Sequence, residues 1–371
     1  MVSLDVSHRQ SSVLDDGVHD AIRLTDKGTP GAMKLFWKAA VLLAGLALFG
    51  WYLTSADLRS VAEVLVRLGW LAPLILVPYF VVYVVDCLGW KFCLPAGLKV
   101  SFPTLFRIRW SGEAVSNTLP SAYVGGESVK IYLLRKYGVA SSLGATSAVV
   151  SKTAQTVAQM FFILLAAIAF LKLAGEKPGL RAGMMMVLAG GVAVLAGLFW
   201  IQRRGLFASL LTLVNALHLK IAWLETRRAK ILEVDDTITC FYRNHRSRFC
   251  ASTGFYFCGW MLDTTEIYLV SQLLGMPILW TQALAVEAFT GVAKMLGMWV
   301  PGSFGIQESG IVMLGRLAGL PDTLSVGYAL LRRGREIVFT LVGWLLLYGN
   351  HVSLRAIRSG AVSADKQLPV Y

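Results

Sequence analysis

Charge is scarce in this sequence. Only 15% of its 371 residues are Asp, Glu, Lys or Arg, while 56% are hydrophobic. A soluble domain carries nearer a quarter charged residues and about half apolar ones. The excess apolar surface must therefore face something other than water, and lipid is the obvious medium. Mean hydropathy is +0.61. Acids are scarcer than bases, 22 against 35, for a net charge of +13. In a soluble chain that imbalance points to nucleic acid. Here the bases lie mainly between apolar runs, where cytoplasmic loops of membrane proteins carry them, so no nucleic-acid partner is expected. Cysteines number five and histidines five, with no CxxC pair, no HExxH and no Cys/His cluster. Neither a metal site nor a cofactor is expected. The segment 1–34 is polar, without a secretory apolar core and cleavage site.

What is present is a series of long apolar runs. A spanning helix needs about 20 mostly apolar residues. Six segments qualify, near 35–53, 69–94, 139–171, 183–201, 251–274 and 324–349. The expected fold is an all-α polytopic membrane protein. Residues 1–34 form a disordered cytoplasmic tail, 35–350 the transmembrane domain and 351–371 a second cytoplasmic tail. Within 202–250, apolar residues recur at roughly helical spacing and are followed by Arg227, Arg228 and Lys230. That pattern suits an amphipathic cytoplasmic helix on an anionic leaflet or a helical hairpin packed on the protein.

Two further segments, 101–135 and 282–317, are moderately apolar but interrupted. Their centres read Asn117-Thr-Leu-Pro-Ser-Ala-Tyr-Val-Gly-Gly-Glu127 and Val300-Pro-Gly-Ser-Phe-Gly-Ile-Gln-Glu308. A straight lipid-facing helix through either would leave backbone groups unpaired, which is tolerated only inside protein or beside a water-filled cavity. Both read as re-entrant helical hairpins, the alternative being two kinked spans.

The two segments repeat one another in a single register without a gap. Pro120 falls on Pro301, Glu127-Ser128 on Glu308-Ser309, Leu133 on Leu314, Gly138 on Gly319, Lys152 on Arg333 and Gln155 on Glu336. The flanking runs align too, giving halves of about 69–171 and 251–349. Each half is a span, a hairpin and a span, and 183–201 joins them. With both hairpins re-entrant, three crossings separate them and the halves are inverted, which is the organisation of secondary transporters. An N-in, C-in topology puts 22 Lys and Arg on cytoplasmic pieces and 7 on outer ones, in keeping with the positive-inside rule.

Charge inside a span is costly and usually faces the bundle interior with a partner. Candidates are Asp86, Glu113, Glu127, Lys152, Asp263, Glu266, Glu287, Lys294, Glu308, Arg332, Arg333, Arg335 and Glu336. The repeat ranks Glu127/Glu308 and Lys152/Arg333 highest. Each acid opens a half-helix, whose free N–H groups and positive dipole end suit an anionic head group. The other reading is that the acid itself caps that end and pairs with the base in the following span. Arg107 and Arg109 precede the first hairpin and suit lipid phosphate, while Arg109 and Glu113 are spaced to pair on a helix. Phosphate-binding, nucleophile-elbow, dinucleotide and HExxH signatures are absent, so no enzyme is expected.

Arg107-Ile-Arg-Trp-Ser-Gly-Glu-Ala-Val-Ser-Asn117-Thr-Leu-Pro-Ser-Ala-Tyr-Val-Gly-Gly-Glu127, with Pro301-Gly-Ser-Phe-Gly-Ile-Gln-Glu308 and Leu331-Arg-Arg-Gly-Arg-Glu336, resembles the transmembrane region of the lysylphosphatidylglycerol synthase family, also called flippase-like or UPF0104 proteins. The resemblance covers about 35–350. The wording around Arg109, Glu113, Asn117 and Leu331–Glu336 is similar to the branch associated with hopanoid biosynthesis. The resemblance implies a bacterial inner-membrane protein that moves a polar-headed lipid between leaflets, linked to hopanoid or phospholipid metabolism. Membrane lipids and lipid-biosynthesis enzymes are the partners it implies. Lipid binding or gating is expected of Arg107, Arg109, Glu113, Asn117, Glu127, Lys152, Gln155, Glu308, Arg332, Arg333 and Glu336. A membrane-embedded lipid-binding accessory subunit or lipid-modifying enzyme is the alternative.

Overall fold

The computed structural model describes residues 68–118 apart from 96 and 99, then 124–173, 178–204, 237–297 and 300–349, with 62 and 66. The expected span at 35–53, both tails, and most of the 202–250 loop lie outside the described residues.

Among the described residues every regular element is helical. A 3-10 turn, Gly69–Ile75, leads into α1, Leu76–Cys93. Two short helices follow, α2 (Phe102–Thr118) and α3 (Val124–Lys136), and then the long α4 (Ser141–Leu173). Helix α5 (Pro178–Arg204) joins this half to the next. There α6 (Arg246–Leu273) is followed by two short helices, α7 (Trp280–Leu296) and α8 (Ile306–Leu317), and by α9 (Asp322–Gly349). Segments Gly69–Cys93, Ser141–Leu171 and Arg181–Trp200 are long and apolar enough to cross a membrane. Helices α6 and α9 are 28 residues each, about 42 Å, but carry several charges in their middles.

The repeat is visible in the backbone. Helices α3 and α8 end at matched positions, Lys136 and Leu317, and α4 and α9 start at matched positions, Ser141 and Asp322. Gly138 and Gly319 hold φ of 80° and 78° at the turn between each pair, a left-handed conformation that only glycine adopts without strain. Each half has its own core. Trp90, Leu105, Ile108, Leu133 and Leu134 fill the first. Ile267, Val270, Ile311, Leu324 and Tyr328 fill the second.

The halves interlock. Helices α1 and α6 pack along one another at the centre. There Phe92 stacks on Phe255 at 5.4 Å, and Cys93 Sγ lies 3.2 Å from Ser252 Oγ. The short helix α2 packs on α9 of the other half, and α7 packs on α4. The indole of Trp110 on α2 donates to the Phe339 carbonyl of α9 at 2.8 Å. Within the first hairpin, α2 and α3 meet at Gly112 and Gly126. A Cβ on Gly126 would come within 2.2 Å of the Gly112 carbonyl oxygen, so small residues set this approach.

The short helices run 17 and 13 residues in the first half and 17 and 12 in the second. At 1.5 Å per residue the longest is about 26 Å, short of the roughly 30 Å hydrocarbon core.

Candidate functional site

Where the two halves meet, a cavity of about 270 Å³ opens between α1, α2, α4, α6, α7 and α9. Its lining alternates ring and charge. Tyr79 and Tyr83 from α1 and Tyr256 and Trp260 from α6 supply aromatic faces. Asp86, Glu113 and Asp263 supply carboxylates, and Arg109, Lys152, Lys294 and Arg332 supply cations. Gln155, Thr156 and Gln159 on α4 add neutral polar groups.

Each half positions its charges by its own hairpin. In the second half, Pro301–Ser303 forms a single 3-10 turn with Gly302 at φ 58° and Ser303 at φ 52°, and Gly305 follows at φ 80°. These left-handed residues stop the helical path and start α8 afresh. Glu308 in the first turn of α8 reaches back to accept from the Gly305 N–H at 2.7 Å. Its other oxygen pairs with Arg333 of α9. Arg333 also donates to the Gly302 carbonyl at 3.0 Å and pairs with Glu336 at 2.9 Å. It lies over the Phe304 ring, 4.1 Å from the centroid. Glu336 completes the cluster, accepting from Lys294 at 3.3 Å and Gln307 at 3.0 Å.

The first half repeats this arrangement more loosely. Glu127 in the first turn of α3 pairs with Lys130 at 2.7 Å and with Lys152 of α4 at 3.6 Å. Lys152 also donates to Gln155 at 3.0 Å. Both acid–base pairs expected from the repeat therefore form, Glu127 with Lys152 and Glu308 with Arg333. The Glu308 carboxylate both caps its helix and pairs with the base, the arrangement in which the acid itself closes the half-helix end.

One expected pair does not form. Arg109 is spaced to meet Glu113, but it turns to Asp86 on α1, at 2.5 Å. The reason is packing across helices: Asp86 sits against Gly259, where an added Cβ would lie 2.7 Å from its carboxylate, and it needs a cation within reach. Glu113 is left facing the cavity with no ion pair among the described residues. Its counterpart in the repeat is Lys294, which lines the same cavity.

Of the other sequence candidates, Lys152, Gln155, Arg109, Glu113 and Arg332 reach the cavity. Glu127 and Glu336 stand behind it, holding Lys152 and Lys294. Arg107 is exposed and Asn117 half-buried near the end of α2, and neither lines the cavity. Asp86, Asp263 and Lys294 do line it, yet the repeat ranked them low because their counterparts are Ile267, Val82 and Glu113.

Helix α9 carries the densest charge. Arg332 makes a two-pronged contact with the buried Glu287 of α7, at 2.5 and 2.9 Å. Tyr328 donates to the same carboxylate at 3.3 Å. Arg335 is almost wholly buried. It faces Glu266 and, at 3.6 Å, Asp263 on α6, with its guanidinium 3.5 Å from the Tyr79 ring centroid. Planar guanidinium groups suit such paired and stacked burial better than ammonium groups.

Residues 36–343 match the family described as the lysylphosphatidylglycerol synthase TM region. The UPF0104 membrane protein PH1989 of Pyrococcus horikoshii is 25% identical over 287 residues, covering 72% of this chain and 84% of that protein. The chain belongs to the lysylphosphatidylglycerol synthase transmembrane-region family of membrane proteins.

Proposed function

We propose that this protein carries a polar-headed lipid between membrane leaflets, with the head group passing through the cavity at the centre of the two halves. The observation that carries the reading is the lining itself. Four cations, three carboxylates and four aromatic rings converge from both halves on one space. Such charge inside a membrane domain is costly unless it meets polar cargo or water. The acyl chains would remain in the surrounding lipid.

In this reading the paired short helices are re-entrant hairpins, because none is long enough to cross alone. Helices α4, α5 and α6 are then the three crossings between them, the halves are inverted, and the termini share the cytoplasmic side of a bacterial inner membrane. Cysteines introduced at residues 8 and 366 of an otherwise functional protein should be protected from impermeant reagents in intact cells. Outside labelling of either would overturn this topology. Arg107, exposed in the first arm of the hairpin, contacts head groups at the entrance, and Asn117, beside the hairpin tip, meets them deeper in the membrane. The pairs Glu127–Lys152 and Glu308–Arg333 act as gates, opening as the head group replaces one partner. Hopanoid or phospholipid metabolism is the setting the family resemblance favours, with membrane lipids and lipid-biosynthesis enzymes as partners.

The test is reconstitution in liposomes with head-group-labelled lipids of several classes. Wild type should accelerate exchange between leaflets for at least one class. Folded Glu308→Gln/Arg333→Met protein, with both charges removed, should be inactive. Normal transport by that double variant would make the pair purely structural.

A further inference from the structure

The charges of the second half do not balance. Helices α6 to α9 bury five carboxylates, Asp263, Glu266, Glu287, Glu308 and Glu336, around four cations, Lys294, Arg332, Arg333 and Arg335. Glu287 takes Arg332, Glu308 takes Arg333, and Glu336 takes Lys294 and Arg333. Two acids, Asp263 and Glu266, remain for the single guanidinium of Arg335. Glu266 is fully buried and closest to it. Neither acid is satisfied by hydrogen bonds, since Asp263 Oδ1 and both Glu266 oxygens lack a partner, but Asp263 is 9% exposed and stands farther off, 3.6 Å from Arg335. It is also the member of the pair that lines the cavity.

An uncompensated carboxylate at membrane depth is strongly disfavoured, and a bound proton removes the charge. We propose that Asp263 is a proton-binding site of the cavity, loaded and unloaded as the transporter alternates. The step is a simple proton exchange. A proton from cavity water bonds to the Asp263 carboxylate, Arg335 then serves Glu266 alone, and the second-half cluster becomes neutral. Loss of the proton to cavity water restores the shared state, and where a cationic part of the head group enters, the proton leaves to that water and the cation takes its place beside the Asp263 carboxylate. The groups facing Asp263 allow this. Tyr79 and Asp86 from α1, Arg109 and Glu113 from α2, Lys152 from α4, Lys294 from α7 and Arg332 from α9 share its cavity, with Arg335 of α9 and Glu287 of α7 acting on it from behind. The other second-half cations at the cavity, Arg332 and Lys294, already hold Glu287 and Glu336.

The location is also where the repeat is broken. The counterparts of Asp263, Glu266, Glu287, Arg332 and Arg335 in the first half are Val82, Val85, Phe106, Ser151 and Ala154. The two-fold scaffold does not require these charges, so a role confined to one half explains them.

The inference rests on the transport reading, but its first test does not. Infrared difference spectra of the full-length protein in phosphatidylglycerol/phosphatidylethanolamine nanodiscs, between alkaline and acidic buffer, should contain a protonated-carboxyl band. That band should vanish in Asp263→Asn and return, shifted, in Asp263→Glu. It should persist in Glu113→Gln. A band unchanged in Asp263→Asn, or one removed by Glu113→Gln instead, would overturn the proposal. Asp263→Glu keeps the experiment decisive if Asp263→Asn does not fold. In liposomes a transmembrane pH gradient should change the rate of labelled-lipid exchange by wild type and leave the Asp263→Asn rate unchanged. Exchange without any gradient response in wild type sinks the proton site alone. Absence of exchange with the Asp263 band intact sinks the transport reading alone.

Discussion

Helices α4 and α9 are equivalent by the repeat, yet they meet their neighbours differently. Helix α4 lies directly on α6. Ser151, Ala154 and Ala158 face Tyr256 there, with Ser151 Oγ 2.5 Å from its hydroxyl. Their counterparts on α9 are Arg332, Arg335 and Phe339. Helix α9 accordingly stands away from the central pair and reaches it with side chains: Arg335 to Glu266 and Tyr79, Phe339 to Tyr79 and Tyr83. One half closes by small-residue contact, the other by long charged and aromatic groups. A duplicated backbone can thus be tight on one side and polar on the other, and the difference leaves the cavity between them.

The sharpest way to break this comparison is Arg335→Met. It leaves Asp263 and Glu266 buried with no guanidinium, and removing one member of a buried ionic cluster costs about 3–5 kcal/mol. Detergent-solubilised protein should unfold at markedly lower temperature. Adding Asp263→Asn and Glu266→Gln to the same chain should recover most of the loss, because the orphaned charge then goes too.

Next in size is the contrast between the equivalent bases. Arg333 is 12% exposed and holds Glu308, Glu336 and the Gly302 carbonyl. Lys152 is 40% exposed and holds Glu127 and Gln155. Arg333→Met should therefore lower stability by about 3 kcal/mol and Lys152→Met by about 1 kcal/mol or less. Equal losses in thermal unfolding would mean that the looser first-half cluster is as well paired as the second.

The hairpins give a smaller contrast. Gly126→Ala pushes a methyl into the Gly112 carbonyl, and overpacking of this kind costs about 1–3 kcal/mol. Gly310→Ala meets only the Ala293 methyl, at 2.8 Å, and α7 and α8 can separate slightly to admit it. Its effect on thermal unfolding should be the lesser of the two.

The smallest effect is expected at Arg107. It is exposed and outside the cavity, so Arg107→Gln should leave unfolding within about 0.5 kcal/mol of wild type. If it nevertheless slows lipid exchange, the entrance contact proposed for it stands. An unchanged exchange rate removes Arg107 from the path.

Much was legible from sequence because the relevant signals are local or periodic. Apolar length marked the helices now described at 69–93, 141–173, 178–204, 246–273 and 322–349. The register of the repeat predicted equivalent partners for Glu127 and Glu308, and proline and glycine at 301–305 marked where the helical path stops. Pairing across helices was not legible. Helical spacing set Arg109 beside Glu113, but the acid it meets in space is Asp86, on another helix. The repeat likewise favoured charges that recur, whereas the cavity draws equally on Asp86, Asp263 and Lys294, which do not.

The sequence by itself determined the medium, the helices and the duplication, since burial in lipid demands long apolar runs and satisfied backbone groups. Only the tertiary structure decided which charge meets which. Ion pairing depends on distances of a few ångströms between helices, and those distances come from where small residues let backbones approach and where large ones hold them apart. Ala154 and Arg335 occupy equivalent places in the repeat, and which neighbour each touches was settled by the fold around them.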